Sequence, residues 1–359
     1  MIADREFWHD RRVLVTGHTG FKGAWLCLWL GSLGARVSGF SLPPATTPNL
    51  FMLADVGRRV DSQFGDVREA SSVDAVMAQS RPEVVFHLAA QALVRRSYVD
   101  PVGTYATNVM GTAHVLDAAR RASGLRAVVV ITSDKCYENR EWWWPYREDE
   151  AMGGHDPYSS SKGCAELVTA AWRRSFFPVD GAAPVGVGSA RAGNVIGGGD
   201  WADDRLVPDC MRAFAAGEPV VLRHPAAVRP WQHVLEPLAG YLSLAERLAN
   251  DPRGFGEGWN FGPTADEARP VAWVVDRLSR FWGGEARWQS DPGSHPHEAA
   301  LLQVDAAKAR ARLGWTPRLS LEEGLRWTVD WYKRVAAGED AAALSLDQIG
   351  RFERLAERR

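Results

Sequence analysis

Tyr158 and Lys162 stand four residues apart in the string Tyr158-Ser159-Ser160-Ser161-Lys162. On a helix that spacing puts both side chains on one face. An ammonium beside a phenol lowers the phenol pKa and can hold a ribose hydroxyl. The phenolate can then accept a hydroxyl proton while hydride leaves the carbon. A second group lies upstream in Thr132-Ser133-Asp134-Lys135-Cys136-Tyr137. Ser133 offers a hydroxyl to a substrate oxygen and Asp134 an acid. Lys135 offers a base, provided that burial or a neighbouring cation strips its proton. A solvated turn with an Asp–Lys pair reads the same way; the Tyr158/Lys162 face is what favours chemistry. A third group, Gly17-His18-Thr19-Gly20-Phe21-Lys22-Gly23, has GxxGxxG spacing. It suits a tight turn at Gly17, backbone approach to a pyrophosphate at Gly20, and close helix–strand packing at Gly23.

These groups need elements to hold them. Residues 12–17 (RVLVTG) read as a buried strand running into the glycine loop, 22–33 as a helix and 35–42 as a second strand. Strands over 83–89, 126–133 and 185–192, with helices over 70–80, 104–122 and 158–177, continue the alternation. The fold class predicted is α/β, a Rossmann-type doubly wound parallel sheet. The first helix would offer its N–H groups to phosphates. Ser133, Asp134 and Lys135 would then lie at the C-terminal end of a strand, where ligands bind in such sheets. Beyond about residue 195 Pro and Gly become frequent and the rhythm weakens. The expected organisation is a dinucleotide-binding domain over 1–195 that carries the catalytic residues. A smaller substrate-binding lobe follows over 196–335, with segments returning to the sheet, and then a C-terminal helix or tail over 336–359. The second strand ends Gly39-Phe40-Ser41-Leu42, with neither acid nor arginine, so it does not separate NAD from NADP. Asp66 sits where a chain could reach an adenine, and a plain turn aspartate reads equally well there.

Composition narrows the classes further. A net charge of -2 over 359 residues points to no nucleic-acid or anionic-membrane surface. No apolar run reaches membrane-span length, and the opening MIADREFWHDRR has no signal-peptide core. Cys27, Cys136, Cys164 and Cys210 form no CxxC pair and no metal spacing, so a reducing, cytoplasmic setting and no metal are expected. His295 and His297 read as structural or rim residues. Sixteen tryptophans are unusual, and composition does not explain them. The run Trp142-Trp143-Trp144-Pro145-Tyr146 either covers a site or packs at an interface.

Longer strings carry a resemblance. VTGHTGFKGAWL, HLAAQALVRRSYVDP, ITSDKCYEN, RAGNVIGGGDW and RPWQHVLEPLAGYL, spread over residues 10–335, resemble the extended short-chain dehydrogenase/reductase family. Within it they resemble the nucleotide-sugar 4,6-dehydratases, the CDP-glucose branch in particular. The resemblance implies an internal redox cycle on CDP-glucose with NAD: oxidation at C4, loss of the C5 proton and the C6 hydroxyl, and hydride return to C6. It implies Tyr158 as base with Lys162 as partner, Ser133 at a family threonine or serine position, and Asp134 as the acid at C6. Lys135 falls where the dTDP-glucose branch carries glutamate, and an ordered water stays open as the true base. The resemblance also implies a cofactor lining of Gly17, Thr19, Gly20, Phe21, Lys22, Gly23, Asp66, Val67, Leu88, Ala89, Ala90, Gln91 and Asn108, besides Tyr158 and Lys162. Substrate contacts are expected from Gln91, Ser133, Asn194, Arg205, Arg229 and His233. It further implies a homodimer or homotetramer and a product serving deoxysugars of surface polysaccharide. A nucleotide-sugar 4-epimerase would share Tyr158 and Lys162 but needs neither Asp134 nor Lys135. A non-catalytic dinucleotide sensor would need none of the four.

Overall fold

Ala127–Ile131 (AVVVI) and Val84–His87 are buried along their whole length, as the central strands of a parallel sheet covered on both faces must be. The computed structural model describes residues 3–178, 180, 184–291, 293 and 299–355. His295, His297 and the last four residues of the expected tail lie outside the described residues. Seven strands form the main sheet: β1 Arg12–Thr16, β2 Arg36–Ser41, β3 Asp61–Phe64, β4 Val84–His87, β5 Ala127–Ile131, β6 Gly186–Arg191 and β7 Gly258–Asn260. Their order is β7-β6-β5-β4-β1-β2-β3, and every pairing is parallel. This is the doubly wound order, reversing direction between β1 and β4, which is where such sheets bind ligands.

Two sheet strands were not readable beforehand. β3 (DSQF) is polar and carries no buried-strand signal, because it lies at the sheet edge and is half exposed. β7 has only three residues. The region after residue 195 also holds long helices that the weakened rhythm concealed. Leu235–Asn250 is a sixteen-residue helix packed against β5 and β6, with Pro237 and Gly240 inside its buried face.

Five of the tryptophans have a physical account. Trp8, Trp25, Trp29, Trp259 and Trp331 are fully buried, and each donates its indole N–H. Trp25 donates to the Gly198 carbonyl at 2.8 Å and Trp29 to Glu353 at 2.9 Å. They fill large core volumes while satisfying their one polar atom. Glu353 belongs to the terminal helix Ala341–Leu355, which packs on the helix Phe21–Ser32 with Phe352 fully buried.

Beyond the strand ends, three short strand pairs stand outside the main sheet. Val195–Ile196 pairs with Gln232–His233, Val220–Leu222 with Trp288–Ser290, and Val228–Arg229 with Arg269–Pro270. One strand of each pair lines a cleft over the C-terminal ends of β1, β4, β5 and β6.

Candidate active site

The glycine loop joins β1 to the helix Phe21–Ser32. Gly17 has φ +78°, and a Cβ there would stand 2.7 Å from the Ala89 backbone nitrogen. A Cβ on Gly23 would stand 2.1 Å from the Gly17 carbonyl oxygen. The loop is therefore packed backbone on backbone. The helix opens at Gly20 with no side-chain cap on its first N–H groups. Thr19 ties the loop to the end of β2, its hydroxyl donating to the Leu42 carbonyl at 2.9 Å. Phe21 and Lys22 reach the cleft. Burial, and then the nearby charges of Lys162 and Arg205, push Lys22 down to about 7.

The helix Pro157–Phe176 begins with proline at its first position and Asp156 as cap, accepting from the Ser159 N–H at 2.9 Å. Tyr158 and Lys162 share its buried face and both line the cleft. Burial raises the Tyr158 phenol to about 12, against a hydrogen bond with Ser133 that lowers it. Burial pushes Lys162 down to about 8, against the opposing charge of Glu166. The Lys162 ammonium donates to the Ile131 carbonyl at 3.3 Å, at the end of β5.

Ser133, Asp134 and Lys135 follow directly on β5 and face the same cleft. The Ser133 hydroxyl donates to Asp134 Oδ1 at 2.9 Å and accepts from the Lys135 N–H at 3.2 Å. Asp134 Oδ2 is buried with no protein partner. It stands 2.0 Å from where a Cβ on Gly193 would be, so only glycine fits opposite it. One cleft of about 710 Å³ thus brings together a phenol, three lysines and a carboxyl group with one oxygen unspoken for.

Among the other predicted residues, Asn194, Arg205 and Arg229 line the cleft. Asn194 has φ +32°, a left-handed backbone that asparagine tolerates. Arg205 pairs with Asp200 at 2.9 Å. Arg229 is buried and donates to the Val228 carbonyl at 2.9 Å. Leu88 and Ala90 line the cleft, while Ala89 donates its N–H to Thr16 Oγ1 at 3.2 Å. Val67 is buried, and Asp66, just past β3, is spent on Arg68, whose guanidinium holds its carboxyl below the usual range.

Three residues serve differently from the expectation. His233 does not line the cleft. It is buried edge-on to Trp25 and Trp327 and walls a separate, smaller cavity, so a direct substrate contact is withdrawn. The Gln91 side chain is turned inward, bonded to both backbone groups of Leu93 and to Thr104. Asn108 lies in a π-turn over Ala106–Met110, a bulge of the kind often found at functional sites. It accepts from the Gln91 N–H and donates to the Gln91 carbonyl and to Ser161 on the Tyr158 helix. It clamps the β4 loop to that helix.

Among the described residues no group of three or more His, Cys, Asp or Glu could hold a metal ion. The four cysteines are free thiols. Glu166, Arg191 and His87 were missed. Glu166 had a signal, since it stands four residues beyond Lys162 on the same face.

A doubly wound sheet with a glycine loop, a Tyr/Lys helix face and an acid–lysine pair at a strand end is the arrangement of a dinucleotide-dependent oxidoreductase fold. The chain belongs to the GDP-mannose 4,6 dehydratase family, whose model matches residues 14–328. It is 51% identical over 353 residues to CDP-glucose 4,6-dehydratase of Salmonella typhimurium, covering 98% of both chains. It is 28% identical to dTDP-glucose 4,6-dehydratase of Neisseria gonorrhoeae, covering 90% of this chain and 95% of that one. Its fold matches UDP-glucose 4-epimerase of Thermotoga maritima with UDP-glucose at a TM-score of 0.78 and 23% identity, over 90% of this chain and 99% of that one. It also matches dTDP-glucose 4,6-dehydratase of Bacillus anthracis in complex with NAD at a TM-score of 0.73 and 22% identity, over 90% and 97%.

Proposed function

We infer that this chain dehydrates CDP-glucose to CDP-4-dehydro-6-deoxyglucose, with NAD as its resident oxidant. The observation that carries the reading is Asp134 and Lys135 in one cleft with Tyr158 and Lys162. The Tyr/Lys pair serves oxidation and reduction at a carbinol. The acid and the second lysine serve elimination, which an epimerase does not perform. The relative named CDP-glucose 4,6-dehydratase, half identical over nearly the whole chain, supports the nucleotide.

The glycine loop fits a dinucleotide, because its backbone is bare and the first N–H groups of its helix are uncapped. NAD, when bound there, supplies the two-electron oxidant that the sugar uses and regenerates. Gly23→Ala is expected to weaken NAD binding by about tenfold or more, some ~1.4 kcal/mol, because the new methyl meets the Gly17 carbonyl. Calorimetric titration reads this directly, and unchanged affinity would mean that the loop yields without harm.

Tyr158 is assigned to take the C4 hydroxyl proton as the carbinol becomes a ketone, with Ser133 orienting the phenol, the Arg205 charge favouring its ionised form, and Lys162 one turn further along the same helix face. The ketone acidifies the C5 hydrogen. Lys135 is assigned to take that proton, and Asp134 to give one to the C6 oxygen, which leaves as water; hydride then returns to C6 and C5 takes a proton from solvent, which closes the balance. Arg229, Arg205 and Asn194 are proposed to hold the sugar diphosphate, the arginines by charge-assisted hydrogen bonds. Residues 1–195 are proposed as the main cofactor-binding part, with most substrate contacts from 196–335.

The proposal includes a homodimer in the cytoplasm. Val102, Tyr105, Met110 and Leu167 are exposed on two helical segments packed side by side, at Pro101–Ala119 and Pro157–Phe176. Exposed apolar residues gathered on neighbouring helices suit a partner. Among the described residues no helix is long and apolar enough to cross a membrane. Val102→Glu with Leu167→Glu is expected to convert a dimer to monomer in sedimentation, and an unchanged mass would place any interface elsewhere.

The reading is tested by incubating the purified protein with CDP-, dTDP-, UDP- and GDP-sugars without added reductant, followed by mass analysis. Loss of one water from CDP-glucose is expected. An unchanged mass with inversion at C4 by NMR would replace the dehydratase by an epimerase.

A further inference from the structure

Glu166 is among the most enclosed ionised groups of the molecule, and the mechanism above does not use it. It stands one turn beyond Lys162 and two beyond Tyr158 on one helix face, and all three side chains are buried. Its Oε1 accepts from the Thr132 hydroxyl at 2.5 Å. Its Oε2 accepts from the Ser189 hydroxyl at 2.6 Å and from Arg191 at 2.8 Å. Thr132 immediately precedes Ser133, so one carboxylate bolts the start of the reactive loop to the helix that carries the phenol. Arg191 extends the network, donating to the Tyr137 hydroxyl at 2.7 Å and to the Glu148 carbonyl at 3.0 Å. Tyr137 in turn donates to Asn260 on β7 at 2.7 Å.

The charges are unevenly matched. Arg191 and Glu166 form an ion pair with side chains only 6% and 5% exposed. The same carboxylate also acts on Lys162 and opposes the effect of burial there. Burial would raise the Glu166 carboxyl, yet Arg191, with the three hydrogen bonds, holds it below the ordinary range. The other ionisable groups that sense Lys162 or are sensed by it are Lys22 in the glycine-loop helix, His87 on β4 and Cys136 in the reactive loop. Burial holds His87 near 3, so it is neutral, and burial raises the Cys136 thiol far above neutrality. Arg173 and Tyr137 face Glu166 as well. Of these groups, Glu166 is the one that carries negative charge at neutral pH.

We propose that Glu166 is a positioning residue of the site, the counter-charge of Lys162 and the bolt between the Ser133 loop and the Tyr158 helix. The proposal rests on Lys162 acting as a cation during C4 oxidation. Removing a buried carboxylate leaves nearby cations less favoured, so Lys162 sheds its proton at lower pH. Activity that needs the ammonium is present below the Lys162 pKa and is lost as pH rises through it.

The test is the alkaline limb of the C4-oxidation rate, read as the first rise of reduced-nicotinamide absorbance when NAD-loaded enzyme meets CDP-glucose. In Glu166→Gln, which keeps the shape and drops the charge, the limb is expected to move down by about one pH unit. Glu166→Gln also leaves Arg191 buried alone, so Glu166→Gln with Arg191→Met is made beside it, and a smaller shift in the same direction is expected, because a nearby cation is removed with the carboxylate. Thr132→Val breaks one bolt and keeps the charge, so the rate should fall while the limb stays in place. An unmoved limb in a folded charge-removing variant overturns the proposal, as does an equal shift in Thr132→Val. Failure of both charge-removing variants to fold also overturns it, since Glu166 would then be structural. Absence of CDP-glucose turnover in the unaltered enzyme would fall on the functional reading instead.

Discussion

Tyr158→Phe should slow C4 oxidation by about 10³-fold while leaving fold and NAD affinity in place. Phenylalanine refills the buried volume, so no cavity opens on the Tyr158 helix. The only atom lost is the phenolic oxygen that Ser133 addresses. That oxygen is the one group at the site assigned to take the C4 proton, and Lys162 cannot replace it, being turned toward the Ile131 carbonyl. Rapid-mixing absorbance of reduced nicotinamide measures the step alone. A rate within tenfold of the unaltered enzyme would remove Tyr158 from the base role.

Lys135→Ala should separate the two halves of the reaction. Oxidation at C4, assigned in the proposal to Tyr158 and Lys162, should persist. Removal of the C5 proton should fall by about 100-fold or more, the usual scale of a positioned base. Reduced nicotinamide should therefore accumulate, and the C5 position should stop exchanging with solvent deuterium. Lys135 suits this part because its backbone N–H is held by Ser133 and its side chain opens into the cleft beside Asp134. Exchange at the original rate in the variant would assign the base to a water or to another residue.

The parts legible in the sequence were those written in local pattern. The glycine spacing, the four-residue step from Tyr158 to Lys162 and the buried runs at 84–87 and 127–131 each follow from backbone geometry over a few residues. The parts that stayed hidden depend on distant segments. Asp66 reads equally as an adenine contact or a turn aspartate, and its pairing with Arg68 cannot be foreseen from spacing. His233 sits in a string shared with Arg229, yet on their short strands Arg229 reaches the cleft and His233 turns to Trp25 and Trp327. Gln91 and Asn108 read as lining residues and prove to bond one another across seventeen residues of chain. Trp25 and Trp29 made sense only once their indole N–H groups found Gly198 and Glu353, far away in sequence. The region after residue 195 was least readable because its short strand pairs are stabilised by tertiary contact rather than by propensity.

The central claim is an internal redox cycle in which the hydrogen removed at C4 comes back at C6. The most direct measurement uses CDP-glucose carrying deuterium at C4, converted by the purified enzyme in ordinary water and read by NMR and mass. The account predicts a 4-keto-6-deoxy product with the deuterium in its C6 methyl group and one hydrogen in that sugar from solvent, at C5. A product that keeps deuterium at C4, or loses it to solvent with no label at C6, would contradict it.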